Sequence, residues 1–304
     1  MECNTFEANN LKLKKFLYRI YALPLYGLSL LPFPLLYLLS NGLRFLAFNI
    51  IGYRKKVVYQ NLRNAFPNYT DAQIDVIAKK FYVHLIDLFL ETFKMQSISK
   101  QQLKQHGKYL NMEVMDEIIN EKKSFIILTS HLGNWEWLPT IWHFEGQADI
   151  VGIYHKLSNP FFEWFTKRMR ERFGIQMITM ENTLRGMLAN KHKITGTGFL
   201  SDQTPSAENA YWIQFLNQDT PVHTGAEKIA KKFNCPVVYA SVVKPKRGYY
   251  EATLEVLTMN PKETPDNYIT DLFNKKLEED IKVQPEIWLW SHRRWKHKRT
   301  QANN

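Results

Sequence analysis

Beyond residue 124, short apolar runs alternate with segments whose apolar residues have helical spacing. This alternation limits the folds that the chain can adopt. Apolar runs of four to seven residues predict strands, and apolar residues recurring every three or four positions predict helices. Strands joined in this way form a mainly parallel sheet flanked by helices, so we expect an α/β fold. The predicted strands are 125–129, 150–154, 176–179, 197–201, 237–243 and 250–256. The predicted helices are 135–144, 160–173, 182–190, 225–233 and 266–283.

The first seventy residues have a different character, both apolar and basic. Residues 8–70 contain no Asp or Glu, and the stretch Ile20–Leu39 has twenty residues without a charge, about the minimum for crossing a bilayer core. Pro24, Pro32 and Pro34 suit a kinked, partly embedded segment equally well. We expect a membrane anchor at the cytoplasmic face, spanning or re-entrant, with a buried helical hairpin as the alternative. The basic residues of this region are Lys12, Lys14, Lys15, Arg19, Arg44, Arg54, Lys55, Lys56 and Arg63.

Two further helices are expected before the alternating region begins. Residues 53–67 predict a basic amphipathic helix, and residues 72–93 a longer one that Thr70 or Asp71 caps. We therefore divide the chain into an N-terminal anchor with the basic helix, residues 1–70, and an α/β domain with a basic C-terminal tail, residues 71–304. Cys3 and Cys235 are too few for a disulfide framework and are expected to be reduced, as in the cytoplasm.

The net charge of +11 is carried by the two ends of the chain. Without the nine N-terminal basic residues and five in the tail, the chain has 26 basic and 29 acidic residues. Nucleic acid could attract such ends, but segments that bind it are seldom so apolar. A membrane surface fits both properties, so no nucleic-acid partner is expected. The basic residues of the tail are Arg293, Arg294, Lys296, Lys298 and Arg299.

A histidine and a glutamate, His131 and Glu136, follow the first predicted strand of the sheet. Ligand crevices of open α/β sheets lie at the carboxyl ends of the strands, so His131 is a candidate general base. A carboxylate behind the ring would fix its tautomer and stabilise the imidazolium, and Glu136 is close enough in sequence to do so. The structural alternative makes His131 a polar strand cap and Glu136 a carboxylate that complements a helix dipole.

Polar residues also follow a second predicted strand, as Ser201-Asp202-Gln203. Parallel strands would bring them to the same edge as His131, although Asp202 could instead cap a loop. The segment after Tyr154-His155-Lys156 carries Lys167, Arg168, Arg170 and Arg172, which could bind anionic head groups or form a solvated helix face. The chain has no G-x-S-x-G, P-loop, dinucleotide or zinc-site spacing, so we expect no cofactor and no metal.

These residues resemble the lipid A biosynthesis acyltransferases, the lauroyl and myristoyl transferases of the lysophospholipid acyltransferase superfamily. His131 to Glu136 looks like the superfamily's His-x4-Asp/Glu motif. The resemblance covers nearly the whole chain, and its last stretch is the most specific. The other similar stretches are 53–58, 61–67, Asn159-Pro160 with 167–174, Ser201-Asp202-Gln203, and 285–296.

The resemblance implies an inner-membrane enzyme of Gram-negative bacteria that moves a fatty acyl chain from acyl carrier protein to a hydroxyl of a lipid A precursor. In the expected mechanism His131 takes the hydroxyl proton, Glu136 supports the imidazolium, and backbone donors near Gly133 and Asn134 stabilise the oxyanion. Arg170, Asp202 and Gln203 would position the acceptor. Asn134 is included as a further substrate contact.

One departure from the family concerns Tyr154-His155-Lys156, where the family commonly has Tyr-Arg. The arginine contact is missing or taken over by Lys156. This leaves open the same chemistry on another membrane lipid, such as a lysophospholipid or an amino-acid-containing lipid. The remaining alternative is a non-catalytic protein that binds lipid at the membrane surface.

Overall fold

The computed structural model describes residues 2–208 and 210–299, with side chains from residue 13 onward. A seven-stranded sheet with strand order β1-β9-β8-β2-β5-β3-β4 forms the centre, and β6 and β7 form a separate hairpin. Strands β2, β3, β4, β5 and β8 run parallel, whereas β9 is antiparallel to β8 and pairs with β1 in parallel. The expected mainly parallel sheet is confirmed. The strands are β1 (Gly107–Tyr109), β2 (Phe125–Thr129), β3 (Asp149–Tyr154), β4 (Gln176–Thr179), β5 (Thr195–Leu200), β6 (Tyr211–Phe215), β7 (Gln218–Val222), β8 (Val237–Lys246) and β9 (Tyr249–Thr258).

The helices connect the strands and cover the sheet on both faces. Helix α4 starts with a capping box in which Thr70 accepts from the N–H of Gln73 and the Gln73 side chain accepts from the N–H of Thr70. The helices are α1 (Glu2–Leu30), α2 (Phe33–Phe45), α3 (Lys55–Ala65), α4 (Asp71–Lys94), α5 (Lys100–His106), α6 (Asp116–Asn120), α7 (Leu138–Glu145), α8 (Pro160–Glu171), α9 (Thr183–Ala189), α10 (Gly225–Phe233) and α11 (Tyr268–Val283).

Strand β2 shows why the central strands read as continuous apolar runs. Ile126 and Leu128 belong to the core on one face of the sheet, together with residues of α3, α4, α10 and α11. Phe125 and Ile127 point to the opposite face and pack with Trp142 of α7. Because both faces are covered by helices, the four buried positions Phe125 to Leu128 are all apolar. The strand also ends where the sequence predicts, at Thr129.

Three strands were not expected from the sequence. Strand β1 has only three residues, too few for a period to be recognised. The β6–β7 hairpin turns at Leu216 and Asn217, which have φ values of 50° and 62°. Two-residue turns of this kind usually carry Asn-Gly or Asp-Gly, so a leucine in the first position gave no turn signal.

The N-terminal apolar region is two helices rather than one. Helix α1 ends at Leu30, and Pro32 caps α2, so the uncharged stretch Ile20–Leu39 is divided between them. The helical segment Phe33–Ile50, which is α2 with the π-helical turn that follows it, is long and apolar enough to cross a membrane, and only 17% of it is buried.

The predicted boundary at residue 70 crosses a single packed core. Val58 and Leu62 of α3 are fully buried in the core that also contains α4 and the C-terminal segment. The Asn61 side chain of α3 donates to the backbone oxygens of Trp290 and His292, at 2.9 and 3.0 Å. Helix α3 is therefore packed into the α/β unit.

The C-terminal tail is not uniformly a solvated basic arm. Arg294, one of the basic residues of the tail, is 1% exposed, and its Nη1 donates to the backbone oxygen of Pro221 at 2.7 Å. Burial lowers the pKa of Arg294 to about 10, against the opposing charge of Asp202. Arg294 is buried because the segment folds back on β7, which sequence composition cannot show.

Candidate active site

Two adjacent parallel strands bring the predicted polar residues together. Strands β2 and β5 pair with Thr129 opposite Leu200, so His131 and Asp202 each lie two residues beyond the end of a strand. The N–H of Ser201 donates to the oxygen of Thr129 at 3.1 Å and extends this pairing. The prediction that both segments meet at one edge of the sheet is confirmed.

The His131 ring contacts Asp202 directly. Its Nδ1 lies 2.6 Å from Oδ1 of Asp202, and the His131 backbone N–H donates to Oδ2 at 2.9 Å. The indole N–H of Trp288 donates to the same Oδ2, also at 2.9 Å. Asp202 is 3% exposed, so its carboxylate is held in one position by three contacts inside the protein.

The charge of Asp202 determines the tautomer of His131. Burial works against ionisation of this carboxylate, but the interaction with His131 and the hydrogen bonds from His131 and Trp288 outweigh it and lower its pKa to about 2. An ionised carboxylate can only accept, so Nδ1 of His131 carries the proton. In the neutral ring, Nε2 then carries the lone pair and can accept a proton from a substrate.

Gln203 and Trp135 both contact the His131 ring. The amide nitrogen of Gln203 lies 3.1 Å from Nε2 of His131, consistent with donation to the lone pair. Trp135 packs edge-on against the imidazole, with the ring centres 4.8 Å apart. Nε2 of His131 thus faces an amide donor, and an aromatic ring packs against the imidazole.

Glu136 does not occupy the position expected for it beside the His131 ring. Its carboxylate forms a bidentate pair with Arg170 of α8, with Nε to Oε2 at 2.8 Å and Nη2 to Oε1 at 2.5 Å. Burial opposes ionisation of Glu136, but the charge and hydrogen bonds of Arg170, with a smaller effect of His131, lower its pKa. The expected contact between Glu136 and the His131 ring does not form, because Arg170 binds both oxygens of the Glu136 carboxylate and Asp202 contacts Nδ1 of His131.

Asn134 is placed inside the protein rather than at a substrate surface. It is fully buried, and its Oδ1 accepts from the N–H groups of Glu136 and Trp137 at 3.2 and 3.0 Å. Its Nδ2 donates to Glu91 of α4 at 2.8 Å. Both ends of the amide are therefore used to hold the turn that carries Glu136, in place of the expected substrate contact.

Gly133 has a structural role in packing the turn against the sheet. Its N–H, expected near an oxyanion, donates to the oxygen of Ile287 at 3.0 Å. Its φ is +68°, and a Cβ there would lie 2.5 Å from Cγ1 of Val242. A glycine is required for this turn to pack against the sheet.

Glu91 is a buried acid that sequence reasoning did not single out. Its side chain accepts from Tyr37 of α2, from Tyr250 of β9 and from Asn134, at 2.9, 2.8 and 2.8 Å. Burial raises the pKa of Glu91. The sequence offered one indication, because Glu91 lies among the regularly spaced apolar residues of α4. An acid at such a position is seldom buried without hydrogen-bond partners.

The loop between β3 and α8 holds Lys156 at the surface. The side chain of Glu163 fixes this loop by accepting from the Tyr154 hydroxyl at 2.6 Å and the Leu157 N–H at 2.9 Å. Lys156 is exposed, and its neighbour His155 lines the cavity beside His131. The structure thus brings His155, rather than Lys156, to the cavity.

A cavity of about 360 Å³ opens at His131 and runs along the face of the sheet. Its lining includes Glu136, Arg170 and Gln203, which belong to the turn, helix and loop beyond the strand ends. Side chains of a strand point alternately to the two faces of the sheet. Those that point to the face with the cavity, such as Ile127, line the part of the cavity that lies further from His131. The remaining walls are largely apolar, with Leu138, Trp142, Ile150, Val151, Ile153 and Ala240 among them. This shape suits a long apolar group whose polar end lies at Nε2 of His131.

Comparison with known proteins supports an enzyme of one family. The family model described as bacterial lipid A biosynthesis acyltransferase matches residues 3–297. The chain is 22% identical to the lipid A biosynthesis lauroyltransferase of Escherichia coli over 88% of this chain and 87% of the relative. It is 21% identical to the lipid A biosynthesis palmitoleoyltransferase of the same organism, over 93% and 94%. It is 22% identical to a lipid A biosynthesis acyltransferase of Haemophilus influenzae, over 76% and 72%.

Proposed function

The chain belongs to the bacterial lipid A biosynthesis acyltransferase family and is an acyltransferase, and we propose that it moves a fatty acyl chain from acyl carrier protein to a hydroxyl of a lipid A precursor. The observation that carries this proposal is the His131–Asp202 pair at the mouth of an apolar cavity. The cavity would hold the acyl chain, since each buried methylene is worth about 0.8 kcal/mol. The thioester carbonyl would then lie beside Nε2 of His131.

In the proposed reaction, Nε2 of His131 removes the proton from the acceptor hydroxyl. The hydroxyl oxygen attacks the thioester carbonyl, and the tetrahedral intermediate expels the thiolate of the carrier. The imidazolium returns its proton to that thiolate, so the enzyme ends the cycle unchanged. Asp202 keeps Nδ1 protonated throughout and stabilises the imidazolium, the part first assigned to Glu136.

Glu136 and Arg170 take a different part in this proposal. Their bidentate pair holds the guanidinium at the cavity, where it would position a polar group of either substrate. Gln203 would release Nε2 when the acceptor hydroxyl arrives, and its amide N–H groups would then face the reacting carbonyl. The fixed charge of Glu136 also favours the imidazolium through space.

The cytoplasmic face of the inner membrane is the proposed location. The segment Phe33–Ile50 is apolar and mostly exposed, which is costly in water and favourable in a bilayer. Basic residues on the neighbouring helices suit an anionic lipid surface. The acidic carrier protein would be attracted by the same positive field.

A lipid comparison tests the proposed function. Lipids are extracted from cells with the gene, without it, and complemented with wild type or His131→Ala, and are compared by mass spectrometry. We expect a lipid A species lacking one acyl chain in the deletion, restored by wild type and by the exposed-histidine control His192→Ala, but not by His131→Ala.

Two other outcomes would redirect the proposal. An unchanged lipid A with loss of an acyl chain from another lipid would show that the acceptor is a lysophospholipid or an amino-acid-containing lipid. His155, which lines the cavity where the family commonly has arginine, is the observation that favours this second candidate. Restoration by His131→Ala would contradict the general-base mechanism.

A further inference from the structure

A second cavity, here called the basic groove, lies between α1 and α8, away from the His131 site. It encloses about 740 Å³, and Gln96, Trp164 and Phe165 contribute to its lining. Its charged residues are Lys15, Arg19, Lys167, Arg168, Glu171 and Arg172. The reaction proposed above uses none of them.

Aromatic packing holds the two walls of the basic groove together. The ring centre of Tyr18 on α1 lies 5.7 Å from that of Phe161 and 5.7 Å from that of Trp164, both on α8. Tyr21 makes a further edge-on contact with Phe161 at 6.3 Å. The groove is therefore formed by packed helices rather than by loose surface side chains.

The inner end of the groove carries polar groups that are fixed or unpaired. Nη1 of Arg172 donates to the oxygens of Met95 and Ile98 at 2.7 and 2.8 Å, which fixes the guanidinium. Gln96 also lines the groove, and its amide nitrogen is buried without a hydrogen-bond partner in the described part of the chain. A buried donor left unpaired costs free energy.

The charge of the basic groove is strongly unbalanced. Five cationic side chains line it against the single carboxylate of Glu171, which lies 3.7 Å from Lys167. Lys15 and Arg19 are four residues apart on α1, so they project from the same side of the helix. The guanidinium of Arg168 lies over the ring of Trp164, at 5.9 Å. Cations that line one groove repel one another, and a bound anion would relieve that repulsion.

The position of the groove indicates where the anion comes from. Helix α1 supplies Lys15 and Arg19 and also exposes Phe16, Leu23 and Leu30, which are 57%, 62% and 58% exposed. Basic side chains beside exposed apolar ones mark the level of lipid head groups. Helix α8 separates the groove from the active site, because Arg168 lines the first and Arg170 the second. A helix with its side chains is about 10–12 Å across, a span that a glycolipid head group can cover.

We propose that the basic groove binds a phosphate group on the head group of the acceptor lipid while the acceptor hydroxyl lies at His131. The proposal rests on the proposed function and adds a separate anchoring site for the acceptor. Lys15, Arg19 and Arg168 contact the phosphate, and the acyl donor does not enter the groove.

The test compares a phosphorylated acceptor lipid with the same lipid after phosphatase treatment. The full-length protein, in detergent, carries Lys15→Ser with Arg19→Ser, and the control carries Lys228→Ser with Lys232→Ser, two exposed lysines of α10 that lose the same charge. In wild type and control, KM for the phosphorylated acceptor should be at least about tenfold lower than for the dephosphorylated one, equivalent to about 1.4 kcal/mol. In the groove variant the two values should converge, with kcat for the phosphorylated acceptor little changed.

A binding measurement separates failure of the groove from failure of the function. Phosphatidylcholine vesicles containing the phosphorylated or the dephosphorylated acceptor are sedimented with each protein, and no acyl transfer is needed. Preference for the phosphorylated vesicles should be lost only in the groove variant. A groove variant that keeps this preference would overturn the proposal, as would a raised KM for acyl carrier protein with an unchanged KM for the acceptor.

Discussion

Asp202 and His131 are 71 residues apart in the chain, yet the carboxylate of Asp202 contacts both the ring Nδ1 and the backbone N–H of His131, at 2.6 and 2.9 Å. The contact fixes both the position and the tautomer of the ring. Trp288, from the C-terminal segment, donates to the same carboxylate. Three distant parts of the sequence therefore meet at the proposed site of proton transfer.

The first prediction separates the two carboxylates near His131. Asp202→Asn should lower kcat by about 100-fold or more, because the amide no longer stabilises the imidazolium and can present its NH₂ group to Nδ1. Glu136→Gln should have its main effect on KM, through the release of Arg170. Steady-state kinetics with a carrier-bound acyl donor measures both. Loss of turnover in Glu136→Gln with near-normal turnover in Asp202→Asn would return the supporting role to Glu136.

The second prediction concerns the length of the transferred chain. Gly198 lines the cavity, and a Cβ built there meets only the oxygen of Val151, at 3.8 Å, so a side chain would extend into open space. Gly198→Leu should shift the products to shorter acyl chains, with Gly198→Ala between it and wild type, as seen by mass spectrometry. Gly225→Leu, at another position with free space, should leave the products unchanged. Equal chain lengths in all four proteins would place the acyl chain elsewhere.

The third prediction concerns the buried pair Asn134 and Glu91. Asn134→Ala removes a donor from the Glu91 carboxylate and the acceptor that holds the N–H groups of Glu136 and Trp137. Unfolding free energy should fall by about 1–3 kcal/mol, and kcat should fall because the turn beside His131 loosens. Asn64→Ala, at an exposed position of α3, is the control. Unchanged stability in Asn134→Ala would show that this network contributes little.

The fourth prediction is a loss of stability in acid that depends on His292. Burial lowers the pKa of this histidine to about 4, with Asp202 opposing the shift and Arg294 adding to it. Between about pH 6.5 and 4 the unfolded chain therefore binds a proton that the folded protein does not, and stability falls as the pH falls. His292→Gln should reduce the slope of unfolding free energy against pH by at most about 1.4 kcal/mol per pH unit in this range. Identical slopes in denaturant titrations of the two proteins would contradict the assignment.

The sequence by itself determined the elements whose signal is local. Strands β2 and β4 and helix α10 have the predicted bounds, because the period of apolar residues and the flanking turn residues lie within each segment. The meeting of His131 with Asp202 and Gln203 also followed from the sequence, since neighbouring parallel strands end at one edge of a sheet. The short strand β1 and the hairpin turn at Leu216 had no comparable signal.

Only the tertiary structure decided which side chains contact one another. Glu136, five residues from His131, is paired with Arg170 from α8, whereas Asp202 reaches the ring because β5 lies beside β2. Asn134 is buried because Glu91 of α4 supplies the acceptor for its amide. Hydrogen bonds extend over about 3 Å, and spacing along a chain cannot specify which distant segment brings a partner within that range.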